Sequence, residues 1–322
     1  MAIENIISQI NSDWEQCDQI INNSLGSKVP LIEQINAHIT KKPGKRIRPL
    51  ISILTAKTFG YNGKNHALLG AIIELIHTAT LLHDDVIDES SLRRGQKTAN
   101  SIWDNTASIL TGDFLYSRAF QLMNEIGSLK VMKILADTSN QISEGEMLQL
   151  TSIKNPDISI EHYNKVISLK TAKLFEAASE LSAVITEQED NIIKACANYG
   201  KHLGIAFQLV DDILDYSSTD AKMGKQTGDD LKEGKPTLPI LIAMEKADNN
   251  QKNLIRNAIL NADGSKFNEI NNILEQTCAL SLAKKQALTE ANKAKQELES
   301  LPHNNYSQLL SELCDLSVHR IC

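Results

Sequence analysis

Apolar residues along most of this chain recur at the three- and four-residue spacing of an amphipathic helix. The first segment with this spacing contains Ile3, Ile6, Ile7, Ile10, Trp14, Cys17, Ile20 and Ile21. The same spacing predicts helices over 30–39, from the segment 41–49 to about residue 60, and over 65–87, 106–126, 129–151, 160–185 and 187–216, with shorter ones to the end. No strand-like alternation and no internal repeat stands out. The pattern predicts an all-α fold, with one large helical domain over 1–322.

Glycine, proline and short polar runs interrupt this pattern at few places. The chain has 15 glycines and 7 prolines, whereas average usage gives roughly 39 of the two together in a chain this long. A β-sandwich or barrel needs a turn about every ten residues, so the composition favours long helices instead. Thr186 and Glu189 have the spacing of a capping box, which predicts the start of the 187–216 helix.

Charge and cysteine content restrict the partners and the compartment. Lys and Arg number 33 and Asp and Glu 40, for a net charge of -7, so a general nucleic-acid surface is not expected. The five scattered cysteines favour reduced thiols and a cytoplasmic protein. Glu4 and Asp13 lie near the start without a basic cluster, and no secretory signal is expected. The apolar stretch 67–82 contains Glu74 and His77, so no integral membrane segment is predicted.

An acidic pattern, D-D-x-x-D, occurs at the ends of two predicted apolar helices. Its six aspartates are Asp84, Asp85, Asp88, Asp211, Asp212 and Asp215. In each copy the first and third acids lie one helical turn apart, about 6 Å along the axis, on one face. Such carboxylates repel one another and oppose the helix dipole unless a cation lies between them. One copy alone fits a solvated helix end, whereas two copies favour Mg²⁺, which binds a few carboxylates, waters and phosphates.

Cationic residues accompany both acidic copies, where they would hold phosphate oxygens that Mg²⁺ leaves unbound. These residues are Lys45, Arg48, Arg93, Arg94, Lys225 and Lys235. The first two begin a predicted helix, and free N–H groups at such a position favour anions. A lysine-rich stretch or a Gly-Lys pair is a weak signal by itself. Their positions beside both acidic copies together predict a metal–diphosphate site.

Periodicity alone leaves three further residues ambiguous. His77 lies two turns before Asp84 on an apolar helix, where a lone histidine is usually a core residue. Lys170 and Thr171 lie inside the predicted helix 160–185, and exposure is the default for a lysine and a threonine there. The hydrophobic pattern does not assign any of the three to a site.

Taken together, these motifs resemble the trans-isoprenyl diphosphate synthases. The resemblance covers the chain from about residue 20 and rests on G-K-R-x-R-P, on D-D-x-x-D-x4-R-R-G, and on a second D-D-x-x-D followed by G-K and E-G-K-x-T-L-P. The stretches IHTATLLHDDVIDES, LTGDFLYSRAFQLM and AFQLVDDILDY are most similar to bacterial members that make octaprenyl chains. The resemblance implies an isoprenoid synthase fold, all-α around a deep central cavity, usually as a homodimer.

The resemblance also implies a reaction and a role for each motif position. Isopentenyl diphosphate would be added repeatedly, with Mg²⁺, to a farnesyl-type allylic diphosphate, giving a chain of about eight units for a quinone such as ubiquinone. The carboxylates that would ligate Mg²⁺ are Asp84, Asp88 and Asp211, assisted by Asp85, Asp212 and Asp215. The allylic diphosphate would contact Arg93, Lys170, Thr171, Gln208, Lys225 and Lys235. Isopentenyl diphosphate would contact Lys45, Arg48, His77 and Arg94. The residues expected to be catalytic are Asp84, Asp88, Asp211, Lys170 and Arg93.

Product length in this family depends on the residues beneath the first aspartates. Ala79 and Thr80 precede Asp84 by five and four positions, about 6–8 Å deeper along the helix. Family members with bulky aromatic residues there stop chain growth early, whereas the small Ala79 lets a longer tail pass. Phe120 and Met123 are candidates for a deeper floor, although ordinary core packing explains them equally well. We therefore expect a product near octaprenyl.

Four alternatives remain at this point. A shorter-chain synthase of the same fold, for geranylgeranyl or farnesyl diphosphate, is opposed by the small Ala79. A terpene cyclase would not need a second cationic site such as Lys45, Arg48 and Arg94. A non-catalytic partner subunit is expected to have lost acidic motifs. An acidic helical scaffold would show no Mg²⁺-dependent turnover.

Overall fold

The computed structural model describes residues 3–42, 44–217 and 227–319, and helices dominate them. The first eight are α1 (Ile3–Ser8), α2 (Asn11–Ser24), α3 (Pro30–Thr40), α4 (Ile47–Thr58), α5 (Asn65–Ile87), α6 (Ala99–Ile102), α7 (Asn105–Ile126) and α8 (Leu129–Leu150). The others are α9 (Ile160–Ile167), α10 (Lys173–Ile185), α11 (Asp190–Ser217), α12 (Asp229–Lys232), α13 (Leu238–Lys246), α14 (Asn249–Asn261), α15 (Phe267–Gln276), α16 (Ala279–Glu297) and α17 (Asn305–Val318). The predicted all-α class is confirmed.

A short hairpin lies in the polar loop after α5, where no strand was predicted. Its strands are β1 (Leu92–Arg93) and β2 (Gln96–Lys97), which pair antiparallel. The two residues between them, Arg94 and Gly95, have φ values of 52° and 69°. Positive φ at both central positions is the geometry of a tight two-residue hairpin turn. The R-R-G sequence therefore builds a defined turn beside the first acidic copy.

Two local expectations need correction. The first amphipathic segment is interrupted after Ser8, and α2 begins at Asn11. The capping box predicted for α11 is absent, because the Thr186 hydroxyl donates to the carbonyls of Ser182 and Ala183, at 3.0 Å each. Thr186 therefore satisfies carbonyls at the end of α10, and α11 begins at Asp190.

The helix α5 is the centre of the first of two compact units, which comprises Met1–Asp137, Leu174–Gly200 and Glu297–Ser311. It packs against α2, α4 and α7. Within the described residues α5 is the one helix long and apolar enough to cross a membrane, and 67% of its most apolar window is buried inside the protein. That burial is the behaviour of a core helix. At its C-terminal end the Ser108 hydroxyl of α7 donates to the Leu82 carbonyl at 3.0 Å.

The second compact unit comprises Thr138–Lys173, Lys201–Gln296 and Glu312–Cys322. A π-helical turn (Ser168–Ala172) joins α9 to α10 at one edge of this unit. Within the unit, α13 packs against α9, α14 and α15, and the Tyr216 ring stacks on the Phe267 ring at 5.9 Å. The prediction of a single domain over 1–322 stays a prediction.

Candidate active site

The first acidic copy occupies the last turn of α5, and its three aspartates differ in environment. Asp84 and Asp88 are partly exposed, whereas Asp85 is buried. The Asp85 carboxylate accepts a hydrogen bond from Arg93 Nε at 2.8 Å, and Asn100 donates to the Asp85 carbonyl at 3.1 Å. Burial raises the pKa of the Asp85 carboxyl and the Arg93 charge opposes that shift. Asp85 therefore fixes the hairpin to α5, and Asp84 and Asp88 are the partly exposed acids of this copy.

Further back on α5, His77 lies within a group of arginines. Burial lowers the pKa of His77 well below its usual range, and the charges of Arg48, Arg94 and Arg93 lower it further. The Arg48 guanidinium lies over the Phe175 ring, 4.3 Å from its centroid, and this cation–π contact helps to orient it. A neutral imidazole among guanidinium groups is a surface suited to an anion such as a diphosphate. The structure thus brings together three of the four residues predicted for isopentenyl diphosphate.

The loop before α4 supports the same group. An added Cβ at Gly44 would lie 2.4 Å from Arg94 Nη2, so the glycine lets the guanidinium lie against the backbone. Arg94 Nη1 also donates to the Lys42 carbonyl at 3.3 Å. The fourth predicted residue, Lys45, is exposed in this loop. Beside the group, a cavity lined by residues of α2, α3, α5 and the hairpin includes Glu74 and Arg94.

In the second unit, Lys170 and Thr171 lie in the π-helical turn and are not simply exposed. Lys170 Nζ forms an ion pair with Glu146 Oε2 at 2.6 Å, and the Thr171 hydroxyl donates to Gln208 Oε1 at 2.8 Å. An added Cβ at Gly145 would lie 2.6 Å from the Lys170 backbone nitrogen. The glycine therefore allows α8 to approach the turn. Single π-turns of this kind are frequent at functional sites.

Among the second acidic copy, Asp212 is buried, with 4% of its surface exposed. Gln208 Nε2 donates to Asp212 Oδ1 at 2.8 Å, and the Tyr163 hydroxyl donates to the other carboxylate oxygen. Burial raises the pKa of Asp212 to about 7, and the hydrogen bonds from Tyr163 and Gln208 oppose the rise. Asp211, on the neighbouring position of α11, is partly exposed.

The third acid of this copy organises the start of α12. The two carboxylate oxygens of Asp215 accept the backbone N–H groups of Asp229 and Asp230, at 3.2 and 3.1 Å. The Asp215 carbonyl also accepts the N–H of Gly228 at 3.0 Å. The predicted diphosphate ligand Lys235 pairs with Glu233 at 2.5 Å in the following loop. Lys225, predicted for the same diphosphate, lies outside the described residues.

The residues predicted to set product length lie in the first unit. Ala79 and Met123 are buried, and the Thr80 hydroxyl donates to the His77 carbonyl of its own helix at 2.9 Å. Phe120 is 48% exposed, and its ring lies 6.1 Å from that of Tyr116. Their role in chain length stays a prediction.

The carboxylates fit Mg²⁺ by the chemistry of their donors. Within the described residues no group of three or more His, Cys, Asp and Glu side chains forms a metal site. Mg²⁺ is usually bound by one or two carboxylates together with waters and substrate phosphates, without a cage made of protein alone. The partly exposed oxygens of Asp84, Asp88 and Asp211 are hard ligands of that kind.

Sequence reasoning missed three residues that contact or face the predicted site. Glu146 pairs with Lys170, and Tyr163 donates to Asp212. Glu74 lines the same cavity as Arg94, where burial raises the pKa of its carboxyl and the charge of Arg48 opposes the rise. The sequence contained one weak signal for Tyr163. It precedes Lys170 by seven residues, or two helical turns, so both would lie on the same face of a regular helix. The other two contacts depend on tertiary packing and leave no local pattern.

Comparisons with known proteins match most or all of the chain. The profile of the polyprenyl synthetase family matches residues 29–277. Octaprenyl diphosphate synthase of Haemophilus influenzae is 45% identical over 99% of this chain and 98% of that protein. All-trans-nonaprenyl-diphosphate synthase (geranyl-diphosphate specific) of Rhodobacter capsulatus is 40% identical over 100% of both chains. The crystal structure of a polyprenyl synthase from Caulobacter crescentus CB15, complexed with calcium and isoprenyl diphosphate, has a TM-score of 0.95 and 38% identity, covering 100% of this chain and 98% of that one.

Proposed function

Because this chain belongs to the polyprenyl synthetase family and is a prenyltransferase, we propose that it makes an all-trans polyprenyl diphosphate of about eight isoprene units. The proposed reaction is the repeated addition of isopentenyl diphosphate to a farnesyl-type allylic diphosphate. A similar enzyme from Haemophilus influenzae carries the name octaprenyl diphosphate synthase. A quinone side chain is the proposed use of the product.

One observation carries the chemical part of the proposal. At the end of α5, the partly exposed pair Asp84 and Asp88 follows the neutral His77 along the same helix, and the arginines around His77 come from α4 and the hairpin. Carboxylates suit a hard cation, and guanidinium groups with a neutral imidazole suit phosphate oxygens. A metal-binding group and an anion-binding group are therefore both built on this helix and its loops.

The residues have separate parts in the proposed reaction. Mg²⁺, held by Asp84, Asp88 and Asp211, would supply charge stabilisation for the departing diphosphate. Arg93 and Lys170 would bind the oxygens of the allylic diphosphate and stabilise the charge that develops as the allylic C–O bond breaks. The carbon–carbon double bond of isopentenyl diphosphate then attacks the allylic cation, and one proton is lost to the released diphosphate.

The arginine group would bind the second substrate. Arg48, Arg94 and the neutral His77 would hold the diphosphate of isopentenyl diphosphate, and this binding would orient its double bond toward the reacting carbon. The packed apolar surface of α5 would exclude water, which otherwise captures the cation. No protein base is required, because the released diphosphate accepts the proton.

A cytoplasmic homodimer is part of the proposal. The support is a set of exposed apolar side chains on α7 and at the start of α8, all in the first unit: Ile109, Leu110, Phe120, Leu129 and Met132. An apolar surface of this kind is typical of a protein–protein contact. A second copy of this chain is the occupant that the family resemblance implies.

The experiment that tests the catalytic site combines metal removal with one substitution. The purified protein should incorporate labelled isopentenyl diphosphate with Mg²⁺ and a farnesyl primer, lose this activity in EDTA, and regain it when Mg²⁺ is added. Asp84→Asn should lower turnover by about a hundredfold or more without loss of helical circular dichroism. Asp137→Asn, at an exposed acid of α8, is the matched control and should retain full activity. EDTA-resistant turnover would contradict the proposal.

A further inference from the structure

A partly buried chain of hydrogen bonds connects four side chains in the second unit. The Thr171 hydroxyl donates to Gln208 Oε1 at 2.8 Å, and Gln208 Nε2 donates to Asp212 Oδ1, also at 2.8 Å. Tyr163 donates to Asp212 Oδ2 at the far end. The four residues come from α9, the π-helical turn and α11. The chain therefore joins α9 to two segments, the π-helical turn and α11, that hold predicted ligands of the allylic diphosphate.

The amide of Gln208 links the two ends of this chain. Its NH₂ group donates to Asp212 and its carbonyl oxygen accepts from the Thr171 hydroxyl. The Tyr163 hydroxyl is the second protein donor to this carboxylate. Without the Tyr163 hydroxyl, one oxygen of the buried Asp212 carboxylate would lose its hydrogen-bond donor. Loss of a donor to a buried acceptor costs more free energy than loss of a solvent-exposed hydrogen bond. Reorientation of Asp212 would then disturb Gln208 and Thr171 as well.

Tyr163 is itself buried, with 5% of its surface exposed, and its hydroxyl contacts the carboxylate of Asp212. Because the proposed function places Gln208 and Thr171 against the allylic diphosphate, we infer that Tyr163 is a positioning residue for allylic substrate binding, acting through Asp212. It is not a catalytic residue, since the contact that supports the inference is with Asp212 and not with a substrate. This inference rests on the proposed function.

The test removes only the hydroxyl. Tyr163→Phe keeps the ring that packs in the core, so the fold should be retained. The dissociation constant of farnesyl thiodiphosphate with Mg²⁺, measured by calorimetry, should rise about tenfold, since a hydrogen bond to a charged group is lost. The KM for the allylic substrate should rise likewise, whereas the KM for isopentenyl diphosphate should stay within about twofold, the size of effects at uncoupled sites.

Tyr199 offers a matched control. Its hydroxyl is equally buried and donates to the Leu310 carbonyl at 2.9 Å, within the first unit. Tyr199→Phe therefore removes a buried tyrosine hydrogen bond without touching a predicted ligand. It should lower the melting temperature about as much as Tyr163→Phe does and leave binding of the thiodiphosphate unchanged.

A double mutant tests whether Tyr163 acts through Asp212. In an Asp212→Ala background the hydroxyl has no carboxylate to position, so adding Tyr163→Phe should not weaken thiodiphosphate binding further. A tenfold further loss in that background would overturn the inference, as would unchanged binding in Tyr163→Phe alone or equal loss for both substrates. Failure of the proposed function is distinguished by the wild-type protein, which would then bind no thiodiphosphate and show no turnover.

Discussion

The aspartates of each D-D-x-x-D copy divide into two kinds. Asp85 and Asp212 are buried and receive hydrogen bonds from protein donors, whereas Asp84 and Asp211 are partly exposed. The buried acid of each pair orients a neighbour that is predicted to contact diphosphate, and the partly exposed acid is the one predicted to ligate the cation. Under the proposed function, one short motif would supply both the metal ligands and the residues that orient the diphosphate ligands.

The size of residue 79 should control product length. Ala79→Tyr places a ring beneath the first aspartates, so growth should stop after fewer condensations while the first condensation persists. Chromatography of the products measures this directly, and circular dichroism melting checks the fold. Ala79→Leu, a smaller change, should give an intermediate shortening. Unchanged octaprenyl product from a folded Ala79→Tyr protein would contradict the assignment.

Individual side chains were predictable only where a motif supplied context. The aspartate spacing was visible in the sequence, because one helical turn fixes which acids share a face. Periodicity gave exposure as the default for Lys170, yet its ammonium pairs with Glu146, 24 positions earlier. The neutral state of His77 likewise depends on burial and on arginines that other segments bring near. Such contacts are set by packing between elements and leave no local pattern.

At the scale of elements, the π-helical turn determines where Lys170 and Thr171 lie. The predicted helix 160–185 is present as α9, the turn and α10. A π-turn inserts an extra residue into the helical repeat. The side chains before and after the turn therefore do not continue on the same face of the helix. The turn touches α8 at Gly145, where the backbones approach most closely.

Gly145→Ala should separate α8 from this turn. The added Cβ would meet backbone at 2.6 Å, which a side-chain rotation cannot relieve. We expect a loss of about 1–3 kcal/mol in the free energy of unfolding, as for other overpacked sites, together with a raised KM for the allylic substrate. Urea denaturation and steady-state kinetics measure the two effects.

Ser143→Ala is the control on the same helix, since the Ser143 hydroxyl is exposed and bonds only within α8. It should leave both quantities unchanged. Wild-type stability and wild-type KM in Gly145→Ala would contradict the close approach of α8 and the π-turn.

The helices were predictable because their apolar periodicity is strong, and α5, for example, was predicted with its observed bounds. The hairpin of Leu92–Arg93 and Gln96–Lys97 was missed because two-residue strands carry no alternation. The π-turn was missed because the residues around it have the same helix-forming character as their neighbours. The predicted capping box was wrong because the Thr186 hydroxyl donates to a carbonyl of the preceding helix.

For the molecule as a whole, the surface of α7 and the start of α8 is the most informative feature. Leu110 is 60% exposed and Leu129 is 84% exposed. Single exposed leucines are ordinary, whereas several exposed apolar side chains on two consecutive helices favour an interface there. This surface supports the proposed homodimer.

If the proposed homodimer uses this surface, Leu110→Asp should convert it to monomers, because a charge would be buried in the contact. Light scattering after size-exclusion chromatography measures the mass, which should fall to that of one chain. Leu260→Asp is the matched control, at a leucine of α14 that is 46% exposed, and it should stay dimeric. A dimer that persists in Leu110→Asp would place the contact elsewhere.

The product distribution of the purified protein tests the central claim most directly. With farnesyl diphosphate, excess isopentenyl diphosphate and Mg²⁺, reversed-phase chromatography of the dephosphorylated products should give a main peak at about eight isoprene units. The small side chain of Ala79, which is buried beneath the first aspartates, is the residue on which this expected length rests. Products of four units or fewer, or no product from the protein alone, would contradict the account.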